Sequence, residues 1–207
     1  MNILAIETSV SSASLCLSAN GTIRFSSSWD ADRNHDAFLF PALQQAMDSL
    51  AATESLEYIL VGAGPGSYGG VRVALAAGVG IATVTGARLV SLESWAQLAG
   101  DQACVVADAR RGGWTVRYPD GRIDVLNSEQ LAGLRYPLRT IEVPGFLASR
   151  GIDGAEVEGL VPTAEGLVRT WLSMTPAERE EQLMKPAEPI YVRPPHITTS
   201  TRKPWEI

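Results

Sequence analysis

Three glycines with the spacing of a dinucleotide-binding loop are the first residues here that could do chemistry. Gly64, Gly66 and Gly69 satisfy G-x-G-x-x-G between a predicted strand and a predicted helix, where backbone amides can bind a pyrophosphate. The chain does not begin with a strand–helix–strand unit, however, and Pro65 interrupts the loop. Because no Lys-Ser/Thr follows the glycines, the loop is not a P-loop. The alternative interpretation is a tight strand-to-helix turn in which the glycines supply unusual backbone angles, and Ser67 belongs to this loop.

A second candidate lies after the first predicted strand, in the sequence "AIETSVSSAS". Glu7 followed by Thr8 and Ser9 could hold a magnesium-bound water and phosphates. A single carboxylate is a thin ligand set for a metal, and hydroxyl residues in turns commonly serve local backbone hydrogen bonds. We therefore interpret both this loop and the glycine loop as structural, vestigial forms of a nucleotide site.

No catalytic constellation is evident elsewhere. His35 lies near charged residues at a predicted helix start, where capping is the simpler role because no nucleophile is beside it. Asp108 precedes Arg110 and Arg111 after a strand, and an ion pair that stabilises the turn is the plain interpretation. The Pro-rich tail carries a small basic set with two aromatic residues that could touch RNA phosphates or a protein, although a mobile tail is the default. These tail residues are Tyr191, Arg193, His196, Arg202, Lys203 and Trp205.

The helix that must position the glycine loop is more informative than the loop. Gly70, Ala74, Gly78 and Ala82 recur every four residues and leave one side nearly bare, and Arg72 is the only charged residue from 69 to 85. A helix that is apolar on all sides must be covered on all sides. We predict that another polypeptide seals the bare side; the alternatives are coverage by the preceding helix, or a joint apolar face of both helices.

The remaining elements predict an α/β fold with mixed strand pairing. A strand at 2–6 is followed by a hairpin at Asn20-Gly21, a helix near 39–50, a strand at 58–61, the apolar helix and a strand at 88–91. Strand and hairpin patterns then restart after Gly100-Asp101. We predict a first lobe over 1–100 that carries partner-binding helices, and a smaller lobe over 101–207 whose tail, 186–207, packs back on the first.

Composition excludes several classes of protein. The chain has 207 residues, 45% of them hydrophobic, enough for one large or two small cores. A net charge of −6 argues against a broad nucleic-acid-binding face, although a local basic patch could survive it. Cys16 and Cys104 are predicted to be buried free thiols in a reducing cytosol. We find no signal peptide and no apolar run as long as a membrane span, so we expect a cytoplasmic protein.

Several motifs together resemble the bacterial tRNA threonylcarbamoyladenosine biosynthesis family TsaB, also called YeaZ. The most specific is "GPGSYGGVR", Gly64 to Arg72, in which Tyr68-Gly69 replaces the Phe-Thr usual in the family. The match spans nearly the whole chain in the right order, and the second half is somewhat short. The other matching segments are "ILAIETS", "RNHDAFLFPALQQAM", "VSLESWAQLA", "VVADARRGGWTV" and "AEPIYVRPP".

The resemblance implies an actin-like ATPase (ASKHA, ribonuclease H-like) fold of two related lobes, with mixed sheets flanked by helices. It implies a non-catalytic scaffold for the paralogue TsaD, which transfers threonylcarbamoyl to an adenosine next to the tRNA anticodon. Leu92 and Ala96 stand where we place that paralogue's metal-binding histidines, and Val10, Ser11 and Ser12 stand where it has an acidic pair. ATP or ADP and metal then belong to partner subunits, and none is bound by this chain alone.

The resemblance also names partners: the TsaD-type paralogue, the small ATPase TsaE, a second copy of this chain through the same helices, and tRNA indirectly. No membrane is implied. The relatives dimerise through their first two helices, which agrees with the apolar helix. Arg72 is expected to hydrogen-bond across the interface or back to the loop. The predicted contact residues are Phe38, Leu39, Leu43, Val71, Arg72, Leu75 and Val79.

Two rival functions remain open. One is a stand-alone nucleotide-binding or peptidase-like enzyme of the actin-like superfamily, which needs a metal or nucleophile that the sequence does not reveal. The other is a direct tRNA-binding module, which the acidic total disfavours and the basic tail supports weakly.

Overall fold

A computed structural model describes residues 1–30, 35–98, 102–152 and 161–193. Asn34, Gly100-Asp101 and the tail residues beyond Arg193 lie outside the described residues, as do the side chains of His35 and Asp36. The predicted cap of the first helix, the inter-lobe boundary and most of the basic tail set therefore stay predictions.

The first sheet has five strands in the order β3-β2-β1-β4-β5. Antiparallel β1, β2 and β3 form a meander, and β4 and β5 add in parallel on the other side of β1. The predicted hairpin is confirmed, because Asn20 (φ 52°) and Gly21 (φ 79°) both adopt the left-handed conformation that a two-residue turn requires. The strands are β1 (Asn2–Glu7), β2 (Ser12–Ala19), β3 (Thr22–Asp30), β4 (Tyr58–Gly62) and β5 (Arg88–Leu92).

Helices cover both faces of this sheet. Alternate residues of β1 point to opposite sides, so Leu4 and Ile6 pack under α1 and α2, whereas Ile3 and Ala5 pack under α5. Such two-sided burial explains why residues 3–6 of β1 are all apolar rather than alternating. The helices are α1 (His35–Asp48), α2 (Tyr68–Thr85), α5 (Ala164–Ser173) and α6 (Pro176–Met184).

The second sheet has four strands in the order β8-β7-β6-β9. Its core gathers around Trp114 and Leu147, both buried. A capping box at Asn127 starts the short helix α3. The elements are β6 (Cys104–Asp108), β7 (Gly113–Arg117), β8 (Ile123–Asn127), α3 (Ser128–Ala132), β9 (Leu138–Thr140) and α4 (Phe146–Ser149).

The predicted division near residue 100 falls between the two sheets, but the last helices cross it. α5 and α6 follow the second sheet in sequence and pack on the first, with Trp171 fully buried against it. The segment after α6 also returns to the first sheet, where the Ile190 amide donates to the Ala63 carbonyl at 2.8 Å. The two sheets are joined directly by a buried ion pair between Glu93, after β5, and Arg117 on β7.

α1 contains a proline, Pro41, in its second turn, where it lies on the exposed side of the helix. Cys16 and Cys104 are buried free thiols, as predicted.

Candidate functional site

The two candidate loops meet at one edge of the first sheet. Because β1 and β4 are parallel neighbours, the residues that follow them lie side by side. The Ser67 amide donates to the Ser9 carbonyl at 2.6 Å, and the Thr8 hydroxyl donates to the Gly70 carbonyl at 2.7 Å. The sequence-predicted set Glu7, Thr8, Ser9, Gly64, Gly66 and Ser67 is thus brought together.

The glycines serve this close approach of two backbones. A Cβ on Gly66 would collide with the Ser9 carbonyl, and one on Gly70 would collide with the Thr8 carbonyl. Backbone atoms therefore fill the space between the loops that a phosphate would need. Ser67 caps α2 by accepting from the Gly70 amide, so this amide already has a protein partner. The geometry favours a structural turn over a dinucleotide site.

The Glu7 side chain is buried beneath the two loops. Its Oε1 accepts from the Ser9 amide at 2.8 Å, while Oε2 is buried against Gly62 without a hydrogen-bond partner. Burial raises the pKa of the Glu7 carboxyl, and hydrogen bonds from Ser9 and Ser94 oppose that rise. A carboxyl enclosed in this way does not fit the role of holding a magnesium-bound water and phosphates.

Metal-ligating side chains do not gather elsewhere in the described part of the chain, where no group of three or more is found. Leu92 and Ala96, the positions that we assigned to the paralogue's histidines, carry no ligand atoms. Leu92 is buried at the end of β5, and Ala96 opens the 3-10 turn Ala96–Leu98.

The predicted bare side of α2 faces inward, and the prediction that another polypeptide seals it is wrong. Gly70, Ala74 and Gly78 are buried against the chain's own sheet. A Cβ on Gly78 would press on Leu89 and Val61, so small residues are needed for the helix to lie this close.

Three of the predicted partner contacts belong to the same core. Leu39, Val71 and Leu75 are buried in the cluster between the helices and the sheet, and Leu43 is half-buried against it. They lie inside because the apolar stripe that binds each helix to its sheet includes them. Phe38, Arg72 and Val79 are exposed.

The opposite side of α2 is exposed and nearly uncharged. Val79 is 52% exposed, and a Cβ on Gly69 or Gly80 would meet no atom within 4 Å. Only 28% of this apolar 18-residue helix is buried, although its length and composition alone would suit a membrane span as well as a core helix. We define the outer face of α2 as Gly69, Arg72, Ala76, Val79, Gly80 and Thr83.

Exposed aromatic residues on α1 lie on the same side of the sheet. Phe38 is 48% exposed and Phe40 is 60% exposed, while Leu39 between them points into the core that α1 shares with α2. Isolated exposed apolar residues are ordinary, but two exposed phenylalanines on the same side of the sheet as a nearly uncharged helix side indicate a candidate contact surface. We call Phe38, Phe40 and the outer face of α2 the helical face.

The end of the described chain packs against the start of α2. Tyr191 stacks on Tyr68 with ring centroids 5.2 Å apart, and the Arg72 guanidinium lies 5.1 Å from the Tyr68 ring centroid. Arg72 thus donates to the Tyr68 hydroxyl at 3.4 Å rather than to the glycine loop. Sequence reasoning gave Tyr191 no such role, because two residues so far apart in sequence carry no pairing signal.

One cavity of about 400 Å³ opens where β5, α5, α6 and the returning segment meet. Glu93 on its wall is already paired with Arg117, and burial raises the pKa of Glu93 against the opposing effect of that arginine. Lys185 on the same wall pairs with Glu181. Glu188 also lines the cavity, and no nucleophilic or metal-ligating cluster accompanies it among the described residues.

The comparisons with known proteins agree with this architecture. The family model described as TsaD, tRNA N6-adenosine threonylcarbamoyltransferase, matches residues 29–132. A solved structure of a protein described as uncharacterised, with similarity to the peptidase YeaZ from Pseudomonas aeruginosa, superposes with a TM-score of 0.72 at 22% identity and covers 93% of this chain and 99% of that one. YeaZ from Pseudomonas aeruginosa superposes at 0.70 with 21% identity, covering 92% and 99%. No curated protein matches significantly.

Proposed function

Because this chain belongs to the TsaD family, tRNA N6-adenosine threonylcarbamoyltransferase, we propose that it takes part in this tRNA modification as a non-catalytic subunit. In the proposal it binds a TsaD-type catalytic paralogue through the helical face and stabilises the paralogue's active conformation. The fold, which it shares with YeaZ and which is consistent with the actin-like ATPase architecture, gives the general frame for that role.

The observation that carries the proposal is the helical face itself. On it, Gly69, Ala76 and Gly80 allow the backbone of another helix to approach closely, while Val79 and the exposed phenylalanines supply apolar area. An exposed glycine inside a helix, as at Gly80, costs about 1 kcal/mol relative to alanine, and no packing contact among the described residues requires the glycine there. The surface is apolar and smooth, and its glycines lower the stability of the helix that carries it. These properties suit contact with a protein partner better than exposure to solvent.

The non-catalytic assignment is supported by the closed loops. The backbones of Thr8 and Ser9 occupy the space beside Gly66 and Gly70, and Glu7 is enclosed. Phosphoryl chemistry needs an accessible cradle of amides with a charged ligand set beside it. In the proposal, ATP or ADP and any metal are held by the partner subunits, among which we include a TsaE-type ATPase.

The paralogue is the preferred occupant of the helical face, and a second copy of this chain is the competing one. A partner built on the same fold would present an equivalent pair of helices, which would allow a shared helical bundle. Such a bundle would hold the catalytic subunit's helices in one arrangement and so raise its activity without contributing a reacting group. The complex would work in the cytoplasm, and tRNA would reach this chain mainly through the complex.

The test places one charge on the helical face. Val79→Glu leaves the core intact, because the side chain is half exposed, but buries a carboxylate in the proposed interface. We expect it to abolish complex formation with the paralogue in light scattering and to remove the stimulation of tRNA modification. Val143→Glu is the matched control. It makes the same change at a valine that is 70% exposed and that follows β9 of the second sheet.

Each result has one meaning. Loss of the complex for Val79→Glu alone supports the proposal, whereas an unchanged complex contradicts it. Leu75→Glu would not be a suitable test, because Leu75 is buried in the core and its variant would unfold. If only a homodimer is lost while the paralogue complex persists, the second copy is the occupant.

The stand-alone enzyme is tested separately. ATP hydrolysis or peptide cleavage by the pure chain, abolished by Glu7→Ala while the fold is retained, would replace the proposal. We expect no activity above background from the wild-type chain alone, since Glu7 is enclosed beneath two hydrogen-bonded loops.

A further inference from the structure

The turn between β6 and β7 carries the densest group of arginines in the described structure, and we infer that it binds RNA phosphates directly. This inference rests on the proposed function, because the RNA would be the tRNA on which the complex acts. It assigns a contact to the second sheet, on elements distinct from the helical face.

The turn holds two arginines in a backbone conformation that arginine rarely adopts. Arg110 (φ 63°) and Arg111 (φ 53°) are both left-handed and are followed by Gly112 at φ 72°. Left-handed backbone costs a residue other than glycine roughly 1–2 kcal/mol. Because strain of this kind persists where the surrounding structure enforces it, and is concentrated at binding sites, the turn is a candidate site.

Surrounding contacts enforce the strained turn. The Asp108 carboxylate accepts from the Arg110 amide at 2.8 Å, and the guanidinium of Arg193 donates to the carbonyls of Ala109 and Arg110 at 3.2 Å each. A Cβ on Gly113 would collide with the Arg193 guanidinium, so the absence of a side chain at Gly113 leaves room for the guanidinium in this position. Arg193 therefore brings a further positive charge to the turn from a distant part of the chain.

The charges at the turn are only partly compensated. Arg150 approaches Asp108 at 3.9 Å and Arg110 approaches it at 4.0 Å, so both share one carboxylate. The Arg110 side chain is 88% exposed, and Arg111 has no carboxylate partner among the described residues. Glu142, which accepts from the Asp108 amide, is the second acid here. Among the described residues, four guanidiniums against two carboxylates leave a local positive excess on a protein of net charge −6.

Phosphate is the ligand that best suits this excess. Guanidinium groups bind phosphate oxygens through two parallel hydrogen bonds, and exposed ones retain their donors for a ligand. An RNA backbone presents such groups at regular spacing, which several arginines around one turn can contact together. An acidic protein surface is the competing occupant, and the experiment separates the two.

The experiment compares two double variants of equal charge. Arg110→Gln/Arg111→Gln removes the two charges at the turn, and Arg88→Gln/Arg169→Gln removes two exposed charges on β5 and α5. Anisotropy of a labelled, unmodified tRNA transcript is measured between 50 and 200 mM salt, with each variant alone and mixed with the catalytic paralogue. Co-elution with the paralogue is measured on the same samples.

We expect the turn variant to weaken tRNA binding about tenfold at low salt and to reduce the salt slope of log K by about 1–2. The control should match the wild type, and both variants should co-elute with the paralogue. Equal affinity and slope for wild type and turn variant overturn the inference while leaving the proposed function intact. Lost co-elution with unchanged tRNA affinity also overturns it, in favour of an acidic protein contact. If even the wild-type chain fails to co-elute, the proposed function fails, and the isolated chain's tRNA binding decides the inference.

Discussion

The two sides of α2 are built from the same kinds of residue and lie in opposite surroundings. On the inner side, Gly70 and Gly78 touch the chain's own loop and sheet so closely that a single methyl group would collide. On the outer side, Gly69 and Gly80 face open space. Small residues on the inner side are therefore explained by the fold, whereas those on the outer side are not.

The difference between the two sides of α2 indicates which side is free to bind a partner. Sequence reasoning assigned partner binding to the bare inner side, which the chain buries itself. The contacts it predicted include Val71 and Leu75, which are buried, but also Phe38 and Val79, which are exposed. In our proposal the partner binds the side that the chain leaves exposed, which carries Val79 and lies on the same side of the sheet as the exposed phenylalanines of α1. The predictions below test whether the two sides differ as the contacts require.

The largest effect is expected on the inner side. Gly70→Ala should destabilise the protein by about 3 kcal/mol or more, because overpacking against backbone costs 1–3 kcal/mol and the Thr8 carbonyl has little freedom to move. The change in the free energy of unfolding is measured by urea unfolding monitored with circular dichroism. Gly69→Ala, one residue earlier in open space, should unfold at the wild-type midpoint or above it; equal losses for both variants would show that packing does not distinguish the two sides.

The next effect is expected on partner binding. Phe38→Ser/Phe40→Ser should weaken binding to the paralogue by about 2 kcal/mol, roughly thirtyfold in Kd, because two aromatic side chains lose their buried area in the complex. Both side chains are largely exposed in the free chain, so the unfolding midpoint should barely move. Calorimetric titration and urea unfolding on one preparation measure both. A large stability loss with unchanged Kd would place the phenylalanines in the core instead.

A smaller effect of opposite sign is expected at Gly80. Gly80→Ala should stabilise the free chain by about 0.5–1 kcal/mol, because alanine favours helix and its methyl group meets nothing within 4 Å. If the outer face contacts a partner helix closely, the same variant should bind the paralogue more weakly. Greater stability together with unchanged binding would exclude Gly80 from the interface.

The smallest effect concerns the carboxyl beneath the glycine loop. Burial raises the pKa of Glu7, so wild-type stability carries a penalty that grows as pH rises from below the unfolded-state pKa through the higher folded-state value. Glu7→Gln should therefore gain stability relative to wild type between pH 4 and pH 8, measured as the difference in Tm.

Glu54→Gln is the control of opposite sign. Hydrogen bonds from Arg24 lower the pKa of the exposed Glu54 carboxyl, so its contribution is present at neutral pH and is lost as pH falls through the lowered value. This variant should lose stability relative to wild type at the higher pH. A Glu7→Gln difference that does not change with pH would show that Glu7 is ionised in the folded protein, as a ligand-holding acid would be.

Much of the fold was predictable because its signals are local. The Asn20-Gly21 turn, the apolar strands β1 and β4 and the helix after Ser67 each have a pattern that short-range sterics and periodicity explain. The relation between distant segments has no such signal. The packing of α5 on the first sheet and the stacking of Tyr191 on Tyr68 depend on the folded chain as a whole.

The candidate site, too, could be predicted only in part from the sequence. That the glycine loop is a turn followed from the residues around it, whereas the close approach of Gly66 and Gly70 to the other loop required coordinates. Periodicity identified α2 as apolar all round, but it could not say which side meets the sheet, because both sides carry small residues. For the same reason the strained arginines at the β6–β7 turn looked like an ordinary ion pair in the sequence.

Calorimetric titration of the paralogue with wild type, Val79→Glu and Val143→Glu tests the central claim most directly. We predict that wild type and Val143→Glu bind with the same Kd and with the negative heat-capacity change of apolar burial, and that Val79→Glu gives no heat of binding while unfolding at the wild-type midpoint. A folded Val79→Glu that binds with the wild-type Kd and heat-capacity change would contradict the claim that the outer face of α2 is where this protein meets its partner.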